Sequence, residues 1–354
     1  MSWTRCWFLW LVLWVGVGGS LAATAGAISP LSTSASGDGW CDGLVAWATR
    51  LDARVRQFDF AHAPLSHVAY PVCGMLTYLL TVGLLVWVMR KRAPMRLQAA
   101  VLVHNVVLCV LSVAMGAGTA VEVFRHWRRS PDGVRAILCD HDGTVMRGRL
   151  SFWMYVFYAS KYYELLDTVI MILRKRPLSF LHVYHHCVVL PLFWVYMRTS
   201  MVIHFILVIA NSLVHVFMYY YYAVASLGMS VWWKRHLTMA QIVQFVIDLT
   251  ATYPFVYFYL RHPRGCSGSM RGFIFGQAVG ISFFYLFVDF FHKSYTKRRS
   301  KDAGAVPPVM ITGAAVEDRA TAAAAAAAAA AAVSGVEAPA AAGLVKRPRP
   351  SKRS

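Results

Sequence analysis

Long apolar runs recur along the chain, and short polar segments separate them. Seven of these runs come close to the roughly 20 residues that span a bilayer core. They lie at about residues 68–89, 97–121, 152–173, 178–197, 201–225, 237–260 and 273–292. Runs of this length with few charges are typical of transmembrane helices. The pattern predicts an all-α, polytopic membrane protein built as a seven-transmembrane-helix bundle.

Basic residues cluster at the ends of alternate runs, at residues 90–92, 174–176, 234–235 and 297–299. Cytosolic loops carry an excess of lysine and arginine, so these ends and the C-terminal tail are predicted to face the cytosol. The loop 125–150 runs against this rule, because the predicted topology makes it lumenal although it holds six arginines.

Composition supports a membrane protein, because 58% of the 354 residues are hydrophobic and only 14% are charged. Soluble domains carry about a quarter charged residues. The net charge of +19 raises the question of a nucleic-acid partner. However, the basic residues lie at the ends of predicted spans, where they orient helices. We therefore expect a lipid bilayer as partner, and no nucleic acid. Seven cysteines without a Cys-x-x-Cys pair argue against a zinc or redox module.

The two ends of the chain differ from the middle. Residues 1–28 combine an early arginine, an apolar stretch and small residues, which is the pattern of a signal peptide, with a signal anchor as the alternative. Residues 29–66 are then predicted to form a lumenal segment, and residues 67–296 the seven-helix domain. Residues 297–354 are rich in alanine and end in basic residues, which predicts a disordered cytosolic tail.

A histidine box lies in the fourth apolar run. His182, His185 and His186 stand at positions i, i+3 and i+4, so they share one face of a helix. Imidazoles are costly inside a membrane and usually mark a functional site. A single histidine would more often be a buried side chain that neighbouring hydroxyls or carbonyls satisfy. Three on one face favour function.

Three further runs carry polar side chains at helical spacing. The third run has Lys161, Glu164, Asp167 and Thr168, the fifth Asn211, His215, Met218 and Tyr222, and the sixth Thr238, Gln241, Gln244 and Asp248. Polar groups cannot be left facing hydrocarbon, so these faces must meet one another, or water, inside the bundle. One such face could serve only to join helices. Four together predict a polar cavity with a catalytic or transport role.

Two cysteines outside the predicted spans, Cys139 and Cys266, fall on the same side of the membrane in this topology. That side is the oxidising one, where disulfides form. A disulfide between them and two free thiols both fit the sequence.

The four polar faces resemble the motifs of the ELO family of very-long-chain fatty acid elongases. The matching motifs, in order, are Lys161-x-x-Glu164-x-x-Asp167-Thr168, His182-x-x-His185-His186, Asn211-x-x-x-His215-x-x-Met218-Tyr219-x-Tyr221-Tyr222 and Thr238-x-x-Gln241-x-x-Gln244-Phe245. The resemblance covers about residues 66–296. One histidine box is a weak signal, whereas four motifs in order are highly specific.

The resemblance implies a seven-helix enzyme of the endoplasmic reticulum membrane that holds the acyl chain in a tunnel. Such an enzyme condenses a long-chain acyl-CoA with malonyl-CoA and releases CO₂, CoA and a 3-oxoacyl-CoA two carbons longer. It implies no metal and no cofactor, and a lumenal disulfide that agrees with Cys139 and Cys266. The implied partners are the ketoreductase, dehydratase and enoyl reductase of the elongation cycle, with a homodimer left open. Pro177 stands where members that prefer polyunsaturated chains often have glutamine, which favours saturated or monounsaturated substrates.

A condensing site needs an acyl carrier, donors to oxyanions and a means of proton transfer. Guided by the resemblance, we expect His185 to take the acyl chain as an acyl-imidazole and His215 to hold the reacting groups or the enolate. The remaining assignments are proton transfer or orientation for His182 and His186, oxyanion or substrate binding for Asn211, Gln241 and Tyr222, and a structural polar network for Lys161, Glu164 and Asp167.

Two other classes of protein are alternatives. Membrane di-iron desaturases and hydroxylases also display a His-x-x-His-His motif, but their metal sites draw on several histidine boxes. Here one box is accompanied by isolated histidines, namely His104, His204 and His215. A non-enzymatic seven-helix transporter would usually show paired repeats and broken helices, which the sequence does not suggest.

Overall fold

The computed structural model describes residues 39–262 and 265–296, and within those ranges it contains helices and turns but no strand. The helices are α1 Gly39–Arg56, α2 Ala69–Met89, α3 Gln98–Arg129, α4 Val134–Cys139, α5 Gly148–Glu164, α6 Leu166–Leu173, α7 Phe180–Arg198, α8 His204–Ser226, α9 Lys234–Thr250, α10 Pro254–Arg261 and α11 Met270–Phe291, with a short 3-10 helix at Phe60–His62 and a π-helix at His292–Thr296. The predicted all-α fold is confirmed. The predicted signal segment, residues 1–28, and the predicted tail, residues 297–354, lie outside the described residues.

Six helical segments of the described chain are long and apolar enough to cross a membrane. They are Ala69–Met89, Gln98–Arg129, Phe180–Arg198, His204–Ser226, Lys234–Arg261 and Met270–Tyr295. The helices also turn large apolar side chains outward, such as Leu80 and Trp87 of α2, which are 74% and 66% exposed. A surface of this kind suits lipid rather than water. The chain is therefore a multi-pass membrane protein.

The predicted span at residues 152–173 is not among these six, because it is divided into α5 and α6 at Leu165. The interruption is a local tightening of the helix. The Thr168 amide donates to the Leu165 carbonyl three residues earlier, at 3.2 Å, as in a 3-10 turn. A second break separates α9 from α10, where Pro254 occupies the first turn and cannot donate a backbone hydrogen bond.

Six helices pack side by side in a closed ring, in the order α3, α8, α9, α11, α7 and α5, with α5 returning to α3. Helix α2 lies outside this ring and packs against α6 and α7. Buried aromatic and aliphatic side chains, among them Phe157, Phe193 and Val208, fill the part of the ring beyond the histidine box. The polar faces predicted from the sequence line the remaining interior.

A disulfide joins Cys139 and Cys266, the pair that the family resemblance implies, with the two Cα atoms 4.6 Å apart. It links the end of α4 to the segment before α11. Backbone contacts surround it: the Ser267 amide donates to the Cys139 carbonyl at 2.8 Å, and the Ser267 hydroxyl donates to the Asp140 carbonyl at 2.6 Å. The segments on this side of the bundle are thus fastened to each other.

Candidate functional site

The ring encloses a cavity of about 270 Å³. Its walls come from all six helices of the ring, α3, α5, α7, α8, α9 and α11, and from α6. The predicted site residues that line it are His182, His185, His186, His215, Asn211, Gln241, Tyr222, Glu164 and Asp167. A second, narrower cavity of about 40 Å³ adjoins it, and Lys161 lines that one. The structure therefore gathers residues from four separate motifs around one space.

Helix α7 presents the histidine box to this cavity. The helix begins after Ser179, whose hydroxyl caps it by accepting from the His182 amide at 3.2 Å. The rings of His182 and His186 lie 4.4 Å apart, and those of His185 and His186 lie 5.4 Å apart. The three imidazoles thus form one contiguous group.

His185 stands where the two cavities meet, because it lines both of them. Its ring is half-buried and packs beside Phe283 of α11, with the ring centres 4.9 Å apart. No hydrogen bond engages its side chain within the described part of the chain. His186 is more deeply buried, and its Nδ1 atom likewise has no hydrogen-bond partner there.

His182 is held by a relay that begins outside the ring. The Thr168 hydroxyl lies 2.8 Å from His182 Nε2, and the Tyr78 hydroxyl of α2 lies 3.0 Å from the same Thr168 oxygen. Tyr78 and Thr168 are both buried. The sequence identified Thr168 as part of a motif but not Tyr78, because the polar residues of the first apolar run do not recur at helical spacing.

Lys161 is only 1% exposed, and its ammonium group is fully engaged in hydrogen bonds. Its ammonium donates to both oxygens of Glu164, at 2.9 and 3.2 Å, and to the Asn211 side-chain oxygen at 3.0 Å. The ring of Phe157 lies under it at 4.0 Å. A buried ion pair is tolerable when further hydrogen bonds satisfy both charges, and here they do.

The ion pair of Lys161 and Glu164 lies next to two of the candidate site residues, His215 and Asn211. Glu164 Oε1 lies 3.8 Å from His215 Nδ1, which is near but beyond hydrogen-bond range. Because Lys161 occupies the Asn211 oxygen, the Asn211 amide group points away from it, towards Gln244 at 3.5 Å. The second N–H of the Asn211 amide therefore remains as a donor inside the cavity, which is the chemistry that an oxyanion requires.

Asp167 is fully engaged by two residues of other helices. His104 Nε2 lies 2.8 Å from one carboxylate oxygen, and the Tyr219 hydroxyl donates to the other at 2.9 Å. The Tyr219 ring meets His215 edge-on, with the centres 5.4 Å apart. The sequence interpretation treated His104 as isolated. The signal that could have found it is the adjacent polar pair His104 and Asn105 in the apolar first part of α3, and both residues are buried.

The sixth predicted span contributes a row of amides to the cavity wall. Gln241 lies with its amide nitrogen 3.7 Å from the Met218 sulfur. Gln244 donates to the carboxylate of Asp248 at 2.9 Å, and the other oxygen of Asp248 has no hydrogen-bond partner among the residues that the structure describes. Tyr222 lines the cavity beside this row.

The titratable side chains of the cavity are engaged with hydroxyls, carboxylates and rings of neighbouring helices. In residues 39–262 and 265–296, no group of three or more histidine, cysteine, aspartate or glutamate side chains is arranged to hold a metal ion. The arrangement does hold an accessible imidazole, amide donors and a hydrogen-bonded imidazole at one site. These are the groups that nucleophilic catalysis with oxyanion stabilisation employs.

Comparison with known proteins gives consistent matches. Residues 63–303 match the GNS1/SUR4 family, also called ELO. The chain is 34% identical to the fatty acid elongase sre1 of Dictyostelium discoideum over 66% of this chain and 85% of the relative. It is 32% identical to long chain fatty acid elongase 1 of Caenorhabditis elegans over 71% and 85%. With the human very long chain fatty acid elongase 4 it shares 30% identity over 68% and 76%.

Proposed function

The chain belongs to the GNS1/SUR4 (ELO) family and is a fatty acid elongase, and on that premise we propose that its cavity condenses a long-chain acyl-CoA with malonyl-CoA. The products are a 3-oxoacyl-CoA two carbons longer, CO₂ and CoA. This assignment sets aside the di-iron desaturase and the transporter considered from the sequence. We place the enzyme in the endoplasmic reticulum membrane, with α5 and α6 together forming a seventh span and the C-terminus in the cytosol.

The proposed mechanism rests on the position of the His185 side chain and on its lack of hydrogen bonds. It is the imidazole of the box that borders both cavities and that no hydrogen bond holds within the described residues. A neutral imidazole is a competent acyl carrier, because it attacks a thioester and also leaves readily. A ring nitrogen of His185 attacks the acyl-CoA carbonyl and the carbon–sulfur bond breaks. CoA leaves as a thiolate that takes up one proton, and the other ring nitrogen of His185 releases one.

The second half-reaction uses malonyl-CoA as the carbon nucleophile. Malonyl-CoA loses CO₂, and the electron pair of the broken carbon–carbon bond remains as an enolate. The enolate carbon attacks the acyl-imidazole, the new carbon–carbon bond forms, and the carbon–nitrogen bond to His185 breaks. The leaving imidazole ring takes up one proton, which restores neutral His185. Atoms and charges balance without a redox step or a metal. His215 is positioned beside the ion pair of Lys161 and Glu164, where it would orient the malonyl group or the enolate.

Oxyanions form in both half-reactions, and amide donors stabilise them. Asn211 suits this role because Lys161 holds its oxygen, and one of its two amide N–H groups remains besides the one directed at Gln244. Gln241 and Tyr222 line the same cavity and would contact substrate. Preorganised donors aimed at developing charge are usually the largest electrostatic term in such reactions.

Two regions of the cavity match the two ends of an acyl-CoA. Arg174, Arg176 and Lys234 line the wide cavity and suit the phosphates of CoA. The narrow cavity runs from His185 past Val189 and Phe193 to Tyr196 on α7, between largely apolar walls. The 11 steps from His185 to Tyr196 rise about 16 Å along the helix. We propose that the acyl tail enters this passage, and that saturated or monounsaturated chains are preferred.

A trapping experiment tests the mechanism. Purified enzyme mixed with acyl-CoA alone, without malonyl-CoA, should form an acyl adduct on His185 that rapid quenching and peptide mass spectrometry detect. His185→Ala should give no adduct and no incorporation of malonyl-CoA into acyl chains. His62→Ala, at an exposed histidine away from the cavity, is the matched control and should behave as wild type. An adduct on Cys187, or no adduct on the active wild-type enzyme, would contradict the acyl-imidazole.

A further inference from the structure

Tyr78 is the residue of α2 that reaches the histidine box, although α2 packs outside the ring of helices. We propose that Tyr78 is a positioning residue: acting through Thr168, it fixes the neutral tautomer of His182 so that Nε2 accepts and Nδ1 carries the proton. This inference rests on the proposed function, because it assigns His182 a defined part in proton transfer.

The contacts form a continuous relay across three helices. The Tyr78 hydroxyl of α2 lies 3.0 Å from the Thr168 hydroxyl of α6, which lies 2.8 Å from His182 Nε2 of α7. Tyr78 is 4% exposed and Thr168 is fully buried, so bulk water does not compete for these bonds. Both distances are those of good hydrogen bonds.

The direction of donation follows from counting donors and acceptors. In the part of the chain that the structure describes, the Thr168 oxygen is the acceptor within reach of the Tyr78 hydroxyl proton. If Tyr78 donates to Thr168, the single proton of Thr168 is free to go to His182 Nε2. The opposite direction would leave the phenolic proton of Tyr78 buried without an acceptor, which is costly. The relay therefore runs from Tyr78 to Thr168 to His182.

The consequence lies on the other side of the imidazole ring. A neutral histidine carries one proton, so an accepting Nε2 leaves that proton on Nδ1. His182 lines the wide cavity, where Nδ1–H is available to substrate. His182 would pass this proton to the departing CoA thiolate, and the proton that His185 releases on acylation would return to Nδ1. Without the relay, the His182 ring is free to adopt either tautomer and either rotation. Only part of the enzyme molecules would then present Nδ1–H to the substrate.

The experiment compares three substitutions, two that remove a hydroxyl group of the relay and one that keeps it. Tyr78→Phe should lower kcat about tenfold with little change in KM, because positioned proton transfer contributes roughly 10²–10⁴-fold and the ring of His182 remains in place. Thr168→Val should lower kcat at least as much, whereas Thr168→Ser, which keeps the hydroxyl, should restore it. In the double variant Tyr78→Phe/Thr168→Val, kcat should equal that of Thr168→Val alone, because both changes break one relay.

A matched control is available in Tyr158, a buried tyrosine of α5. Its hydroxyl makes hydrogen bonds to the Leu65 carbonyl at 3.2 Å and to Tyr162 at 2.8 Å, but none to the histidines. Tyr158→Phe should leave kcat unchanged. Wild-type kcat in Tyr78→Phe, fully multiplicative effects of Tyr78→Phe and Thr168→Val, or equal kcat in Thr168→Ser and Thr168→Val would each overturn the relay.

The trapping assay separates this inference from the proposed function. In Tyr78→Phe the acyl adduct on His185 should still form, only more slowly, because the nucleophile itself is intact. If the wild-type enzyme formed no adduct on His185, the acyl-imidazole mechanism would fail whatever the hydroxyl variants did. If the adduct formed at the wild-type rate in every hydroxyl variant and kcat were also unchanged, the relay alone would fail.

Discussion

The four histidines of the cavity differ in what surrounds each ring. His182 is hydrogen-bonded to Thr168, and His215 lies beside Glu164. His186 is more deeply buried than its neighbour His185. His185 alone borders both the wide and the narrow cavity. Residues of one chemical type can thus have separate roles, because the neighbouring helices restrain them to different degrees.

The orientation of Asn211 leads to a prediction for catalysis. Asn211→Asp keeps the side-chain shape and an oxygen for Lys161, but replaces the amide donor with a second oxygen. We expect kcat for elongation to fall about 10²–10³-fold, which is the effect of removing one oxyanion donor. Steady-state kinetics in detergent or nanodiscs, with thermal unfolding in parallel, would measure it.

The comparison variant for this experiment is Asn211→Leu. It removes the acceptor for Lys161 as well as the donor, so both activity and stability should decrease. If Asn211→Asp kept wild-type kcat, the amide could not be stabilising an oxyanion.

The buried ion pair makes a second prediction, this time for stability. Lys161→Met leaves Glu164 buried without its main partner, and breaking a buried pair in this way costs about 3–5 kcal/mol. The double variant Lys161→Met/Glu164→Gln should recover part of that loss, because no isolated charge remains. Unfolding of the purified enzyme in mixed micelles would measure both.

The exposed ion pair of Lys293 and Asp289 provides the control. These side chains are 65% and 39% exposed, so Lys293→Met should lower stability much less than Lys161→Met. Equal effects of Lys161→Met and Lys293→Met would mean that burial of the Lys161 pair does not matter for stability.

Much of the cavity could be predicted from periodicity, because side chains three or four positions apart share a helix face. Lys161, His185 and Asn211 all lie where that rule expects them, in the ring interior. Their partners could not be predicted in the same way. His104 contacts Asp167 across 63 positions of sequence, and Tyr78 contacts Thr168 across 90. Such contacts depend on how helices pack, which the spacing within one helix does not specify.

At the scale of elements, apolar length located the spans but not their breaks. The division at Leu165 is a change in backbone hydrogen bonding between Glu164 and Asp167, and hydropathy does not report how backbone hydrogen bonds are arranged. The division before Pro254 was visible as a proline, but the run on both sides reads as one span. Helix α1 was not predicted, because it is not long and apolar enough to read as a span. A contact between Asp52 of α1 and Arg149 of α5 anchors it.

The close packing of α7 against α11 leads to the third prediction. A Cβ atom added at Gly276 would overlap the Tyr196 side chain, which marks the far end of the narrow cavity. Gly276→Ala should therefore destabilise the enzyme by about 1–3 kcal/mol, the cost of overpacking a core. It should also push Tyr196 into the passage and shift the products to shorter chains. Thermal unfolding and acyl-chain profiling would test the two effects.

A control for this variant is Gly83→Ala in α2, since an added Cβ there has no atom within 4 Å. Its product profile should match that of the wild type, and its stability should not fall, because alanine favours a helix over glycine. If Gly276→Ala shortened no product although it was destabilised, the narrow cavity would not be the path of the acyl tail.

At the scale of the whole molecule, the ring of six helices places the polar groups towards one end and a disulfide-linked set of loops at the other. The histidine box opens α7, whereas α4 and α10 pack together near the segment before α11. Fastening these loops restrains the ends of α3, α9 and α11 together. The polar cavity at one end of the bundle is thus built on helices whose opposite ends are linked through the disulfide-bonded loops.

The disulfide makes the last prediction, because it closes a loop of 127 residues that contains most of the site. Replacing both cysteines, Cys139→Ala/Cys266→Ala, should lower stability by about 2–5 kcal/mol, since the reduced chain gains conformational freedom when unfolded. Activity at low temperature should be retained, because neither residue lines the cavity. Thermal unfolding in detergent, with and without a reductant, measures the effect, and reductant should lower the stability of the wild type but not that of the variant. Cys73→Ala, at an exposed free cysteine, serves as the control and should respond to reductant as the wild type does. A double variant as stable as the wild type would mean that helix packing alone holds these loops together.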